Sequence, residues 1–171
     1  MKIILCLAQT ADGKIAKNSN HLADWTSKED KKHFISLSKK HRIIIMGEST
    51  YSTIGRPLPG RLNLILTQDP EKYSSLEIPG KLQFVNLSPL QVVEFLSSKG
   101  YDSAILGGGS YTNSQFLQAK LIDEIYLTVE GLIFGEGISL SQNLSQDIKL
   151  KILELKQLSP TTFLVHYQVK K

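Results

Sequence analysis

Eight short apolar runs, spaced by polar stretches with helical periodicity, restrict what this 171-residue chain can fold into. The runs cover residues 2–8, 42–46, 62–67, 82–86, 103–106, 124–130, 148–155 and 162–169, each the length of a strand. Residues 27–39, 49–54, 88–99 and 110–120 carry helical patterns between them. Ser88-Pro89-Leu90-Gln91 reads as a capped start, with Ser at the N-cap, Pro first and Gln third. Gly100 then stops that helix. The alternation predicts an α/β fold, a three-layer α/β/α sandwich around a mostly parallel sheet of about eight strands. The last two runs adjoin with no helix between them, which predicts an antiparallel hairpin at the sheet edge. No linker, repeat or low-complexity segment divides residues 1–171, so a single domain is expected.

Composition narrows the partners. No run reaches the roughly 18 apolar residues of a membrane span. The start, Met1-Lys2-Ile3-Ile4-Leu5-Cys6-Leu7, lacks a small-residue cleavage site and reads as a first strand rather than a secretion signal. The one cysteine, Cys6, allows neither an internal disulfide nor a cysteine-based zinc site, and is expected as a small buried hydrophobe. A cytoplasmic location follows as the expectation. The net charge of +4 suits small anionic ligands, but it is spread along the chain without interleaved aromatics. Neither nucleic acid nor a membrane is therefore an expected partner. His21, His33, His41 and His166 show no ligand spacing, so no metal is expected.

Three segments carry chemistry. Gly55-Arg56-Pro57-Leu58-Pro59-Gly60-Arg61 is a rigid turn that presents guanidinium groups just before a strand, where they suit a carboxylate or phosphate. In a helix starting at Ser27, Asp30, Phe34 and Leu37 share one face by their i, i+4, i+7 spacing. That places a carboxylate on an apolar stripe; from spacing alone, a helix-capping role for Asp30 is the simpler reading. Gly107-Gly108-Gly109-Ser110 and Met46-Gly47-Glu48-Ser49-Thr50 each run from a strand through glycine into a helix start. Two such turns in one sheet suit the two ends of a pyrophosphate.

Together these segments resemble the dihydrofolate reductase superfamily over nearly the whole chain. The matching order is Ala8, Trp25, Asp30, Phe34, Ile45-Met46-Gly47, Thr50, the 55–61 turn, the triple glycine and Leu127-Thr128. Thr10-Ala11-Asp12-Gly13-Lys14-Ile15-Ala16, Leu121-Ile122-Asp123-Glu124 and Phe134-Gly135-Glu136-Gly137 are similar instead to the reductase domain of riboflavin biosynthesis, a sister branch of the fold. The resemblance implies that Asp30, backed by Thr128 and beside Trp25, accepts hydrogen bonds from a pterin ring. It implies Phe34, Ile54 and Leu58 as walls for the aminobenzoyl group and Arg61 as the partner of a glutamate carboxylate. Ala8 and Ile15 would hold a nicotinamide carboxamide through backbone groups. Gly47, Ser49, Thr50, Gly108 and Gly109 would hold the pyrophosphate, with Tyr111 flanking the nicotinamide. A cis peptide between Gly107 and Gly108 is expected on the same ground.

The match breaks at the corner where the family meets the 2′-phosphate of NADPH. Glu48, Gln68 (with Thr67 before it) and Ser110 stand at positions that the family usually gives to basic or small hydroxyl residues. NADPH remains the first expectation for the cofactor, with NADH favoured by Glu48, since an acidic residue accepts from a ribose 2′-hydroxyl. Lys31 follows Asp30 where the family carries an apolar residue, and it suits either a glutamate carboxylate or a ribose phosphate. The polar loop between Ile15 and Trp25 is expected to gate the cofactor. The leading functional expectation is reduction of 7,8-dihydrofolate to 5,6,7,8-tetrahydrofolate by hydride transfer. The alternatives are reduction of a diamino-ribosylamino-pyrimidinone phosphate in riboflavin synthesis, or a non-catalytic nucleotide- or pterin-binding protein. A monomer or homodimer is expected.

Overall fold

Side-chain alternation along the inner strands decides how they are covered, because successive residues face opposite sides. The computed structural model describes residues 1–171. Its strands are β1 (Lys2–Thr10), β2 (Lys14–Ala16), β3 (Ile43–Gly47), β4 (Leu62–Leu66), β5 (Leu82–Val85), β6 (Ser103–Leu106), β7 (Ile122–Glu130), β8 (Ile138–Ser139), β9 (Leu150–Ser159) and β10 (Thr162–Val169). The helices are α1 (Lys28–His41), α2 (Glu48–Ile54), α3 (Pro89–Ser98) and α4 (Ser110–Gln118). On one face Ile3, Leu5, Ile43, Ile45 and Leu64 pack with Val92 and Leu96 of α3 and Phe116 of α4. On the other, Ile4, Cys6, Ile44, Met46 and Ile65 pack with Tyr51 of α2 and with Phe34 and Leu37 of α1. Strands apolar on both faces need helices on both faces, which gives the three layers.

The main sheet has eight strands in the order β5-β4-β3-β6-β1-β7-β10-β9. The pairings from β5 to β7 are parallel, and β10 runs antiparallel to both β7 and β9. The edge hairpin is therefore present, and the fold class matches the sequence expectation. The capping box at Ser88 and Gln91 also forms as expected.

Four details differ. β2 and β8 pair with each other as a separate two-stranded sheet, too short for any periodicity to reveal. A 3-10 helix covers Glu71–Leu76, where the sequence pattern predicts no element. The last pair starts at Leu150 rather than 148, and β9 extends to Ser159. The cis peptide joins Gly108 to Gly109, one bond later than expected.

Phe116 is fully buried between α4 and the sheet. Phe116→Ala is expected to lower stability by about 3–5 kcal/mol through lost burial and a residual cavity. Urea unfolding checks this: the midpoint falls while the denaturant slope stays unchanged.

Candidate active site

The C-terminal ends of β1, β3 and β6 open into a cleft of about 930 Å3. Ala8 at the end of β1, Gly47 at the end of β3 and the triple glycine after β6 all line it. This is where open parallel sheets offer free helix N-termini to ligands. Trp25, Asp30, Lys31 and Phe34 line it from α1 and the loop before it, and Ile54 does so from α2.

Asp30 is 8% exposed. Ser27 caps α1 by accepting from the Asp30 backbone N–H at 3.1 Å. In a capping box the third residue would reach back to the Ser27 N–H. Here that N–H donates instead to Glu130 Oε1 at 2.8 Å, and Glu130 Oε2 accepts from the Thr162 hydroxyl at 2.7 Å. Glu130 therefore does the work that the simpler reading assigned to Asp30, and the Asp30 carboxyl is left to the cleft. Burial pushes that carboxyl above its ordinary value; the Thr128 and Thr26 hydroxyls pull it down, while nearby Glu130 raises it. Thr128 is itself buried, paired with Ala8 across the parallel β1–β7 register. Cys6 also lines the cleft, its thiol pushed well up by burial and by Asp30, so it stays protonated and unreactive.

Lys31 folds back, its ammonium donating to the Asp24 carbonyl at 3.2 Å. Two residues expected at the substrate are not among those lining the main cleft. Leu58 is half-buried, packs against the same core cluster as Phe34 and Ile54, and lines a second pocket that also holds Arg61. Arg61 is 6% exposed, with Nε donating to the Pro59 carbonyl at 3.2 Å and Nη1 to the Ser38 hydroxyl. The main cleft is lined by neither of them.

The far half of the cleft is built from the two glycine turns. The Gly47 N–H donates to the Gly108 carbonyl at 2.9 Å, which ties the turns together. A Cβ on Gly47 would lie 2.6 Å from Thr112 Oγ1, so a side chain there would have to displace that hydroxyl. Ser49, Thr50, Gly108, Gly109, Ser110 and the mostly exposed Tyr111 complete this half. Ser110 Oγ, at the start of α4, is buried and has no hydrogen-bond partner. An unpaired hydroxyl donor at a helix N-terminus fits an anionic oxygen such as that of a phosphate.

Beyond this, Glu48 accepts from Thr67 Oγ1 at 2.5 Å and from the Tyr73 hydroxyl, with Lys72 Nζ at 3.7 Å. These donors hold its carboxyl below the usual range, Thr67 first. Gln68 borders the same corner.

The loop over the cleft is pinned by residues to which the sequence pattern assigns no site role. Asp12 accepts from the N–H groups of Phe134 and Gly135 at 3.2 and 2.8 Å, and Phe134 meets Trp25 edge-to-face at 5.1 Å. Ile15 lines the cleft from β2, which β8 holds in place. The early Asp12-Gly13 segment and the later Phe134-Gly135 segment are thus one structural unit. Glu130 has no local signal, because its partners lie 103 and 32 residues away.

Asp30 has a consequence for stability. Well below its ordinary value of 3.8, folded and unfolded chains both hold the proton. Above that value the unfolded chain ionises first, so stability falls as pH rises until the folded carboxyl ionises too. Asp30→Asn is therefore expected to be more stable than wild type at neutral pH, with an advantage that shrinks toward acid. Urea titrations across that range check it; a variant less stable at neutral pH contradicts it.

Residues 2–137 match the dihydrofolate reductase family. The chain is 44% identical over 113 residues to the dihydrofolate reductase of Staphylococcus aureus, covering 66% of this chain and 62% of that one. It is 30% identical over 131 residues to dihydrofolate reductase type 3 of Salmonella typhimurium, covering 75% of this chain and 71% of that one. The crystal structure of a putative riboflavin biosynthesis protein from Shewanella sp. PV-4 superposes with a TM-score of 0.80 at 20% identity, over 100% of both chains, a likeness of fold. With a family match over residues 2–137, which hold nearly all of the cleft's lining, the chain belongs to the dihydrofolate reductase family.

Proposed function

We propose that this protein is a nicotinamide-dependent reductase whose substrate is a dihydropterin, 7,8-dihydrofolate first. The observation that carries the reading is the Asp30 carboxyl, buried at the cleft and freed from capping by Glu130. A pterin presents an amino group and a ring N–H side by side, and a carboxylate answers both with charge-assisted hydrogen bonds. Phe34 and Ile54 supply apolar walls for the rest of the substrate, and Trp25 closes the side toward the loop.

When bound, a reduced nicotinamide supplies the hydride. Ala8 and Ile15 orient its carboxamide, while the two glycine turns, Thr50 and Ser110 take the pyrophosphate. The chain's own contribution is largely positioning. Ionised Asp30 holds the pterin edge and draws electron density toward N5, which makes that nitrogen easier to protonate from water; Thr128 steadies Asp30 from β7.

Glu48 sets the cofactor preference. Held ionised by Thr67 and Tyr73, it repels a 2′-phosphate and accepts from a 2′-hydroxyl. NADH is therefore used at least as well as NADPH, despite the family habit. Arg61 favours a second substrate reading. Its guanidinium is engaged with Ser38 and Pro59 and leaves the glutamate of a folate without that partner. A ribosylamino-pyrimidinone phosphate, meeting Lys31 through its phosphate, is the alternative.

Loss of reduced-nicotinamide absorbance tests both points. Dihydrofolate should be turned over, and Asp30→Asn should cut kcat/KM about a hundredfold or more, equivalent to ~2.7 kcal/mol. Turnover of the pyrimidinone phosphate alone moves the assignment to the second reading. In the same assay Glu48→Gln should raise the NADPH-to-NADH ratio of kcat/KM about tenfold, the effect of relieving ~1.4 kcal/mol of repulsion. A hundredfold wild-type preference for NADPH contradicts the role given to Glu48.

A further inference from the structure

The free edge of the main sheet is unusual for its length and its side chains. β9 spans ten residues, pairs only with β10, and is exposed along nearly all of its length. A long apolar edge offers unpaired backbone groups to another strand, and proteins ordinarily blunt or cover such edges.

Opposite Val165, Tyr167 and Val169 of β10 stand Leu155, Ile152 and Leu150 of β9. The pairing shifts register between His166 and Tyr167, and this bulge keeps all three β9 side chains on one face. Leu155 is 64% and Ile152 59% exposed, and Phe163, further along that face of β10, is 40% exposed. The stripe continues through Leu150 and Tyr167 into an apolar groove of about 520 Å3 under Leu140 and Leu144. An apolar surface this continuous marks an interaction site.

The charges on the opposite face of β9 indicate the partner. Glu154 and Lys156 flank Leu155, facing His166 and Leu164 of β10. Neither forms a salt bridge within the chain. If two copies of β9 run antiparallel with Leu155 on the two-fold axis, Glu154 of each copy stands opposite Lys156 of the other. Leu155 then meets its own counterpart across the axis. At this register the Glu154–Lys156 pairs and the Leu155–Leu155 contact are self-complementary, as a two-fold interface requires. We propose that β9 is the dimerisation edge of this protein, joining the sheets of two copies through antiparallel β9–β9 pairing centred on Leu155.

Sedimentation and light scattering at micromolar concentration should give a dimer for the wild type and a monomer for Leu155→Lys. Glu154→Lys alone should weaken the dimer, and the double exchange Glu154→Lys with Lys156→Glu should restore it. Leu155→Cys covers the case in which a charged variant fails to fold. Cys6 is the only native cysteine and is buried, so mild oxidation of this variant should join two otherwise native copies through the introduced thiols. A monomeric wild type overturns the proposal. So does a dimer that survives Leu155→Lys, or one in which Leu155→Cys fails to cross-link.

Discussion

Three inner strands that are apolar on both faces are the constraint on which the rest of this structure depends. β1, β3 and β6 bury Ile3, Ile4, Ile44, Ile45 and Ile105 almost completely, so the chain must cross the sheet with helices on both sides. Parallel pairing then brings the C-terminal ends of these strands to one rim. There the backbone must turn from strand to helix within a few residues. Gly47 and the triple glycine make those turns, and a side chain at Gly47 would run into the Thr112 hydroxyl. The cleft is thus a consequence of how the core is covered.

Two buried carboxylates, Asp30 lining that cleft and Glu130 behind it, divide the work. Glu130 secures the start of α1 by taking the Ser27 N–H and the Thr162 hydroxyl. Asp30 is left without a structural duty and carries the cost of burial. A buried carboxyl beside the Phe34 ring, in one cleft with two glycine turns that each open a helix, marks this rim as a candidate ligand site. Glu48 follows the same logic at the other end. Its partners keep it ionised at the corner where the family ordinarily tolerates a phosphate.

Local pattern makes much of this legible. The Ser88 cap, the strand-glycine-helix turns and the i, i+4, i+7 stripe holding Asp30 and Phe34 are each written within a few residues. What pattern misses is non-local or too short. The β2–β8 pair has too few residues to show a period, and the Asp12–Phe134 tie joins segments 122 residues apart. Glu130 looks like any acidic strand end until Ser27 is brought to it. The turn that carries Arg61 points to a place at the cleft. Its guanidinium instead turns to Ser38 on the neighbouring helix, a choice between partners that the turn alone does not reveal.

The central claim is that the Asp30 carboxyl contacts the ring of the ligand. The most direct test is the binding of a 2,4-diaminopteridine, followed by quenching of Trp25, the only tryptophan, in wild type and Asp30→Asn across pH. Such a ring offers an amino group and a protonated nitrogen side by side, so the account predicts tight wild-type binding that weakens as pH rises and the ring loses its proton. Asp30→Asn should bind at least about a hundredfold more weakly, the scale of a lost charge-assisted pair. Equal affinity in both proteins, with the same pH dependence, would contradict the claim.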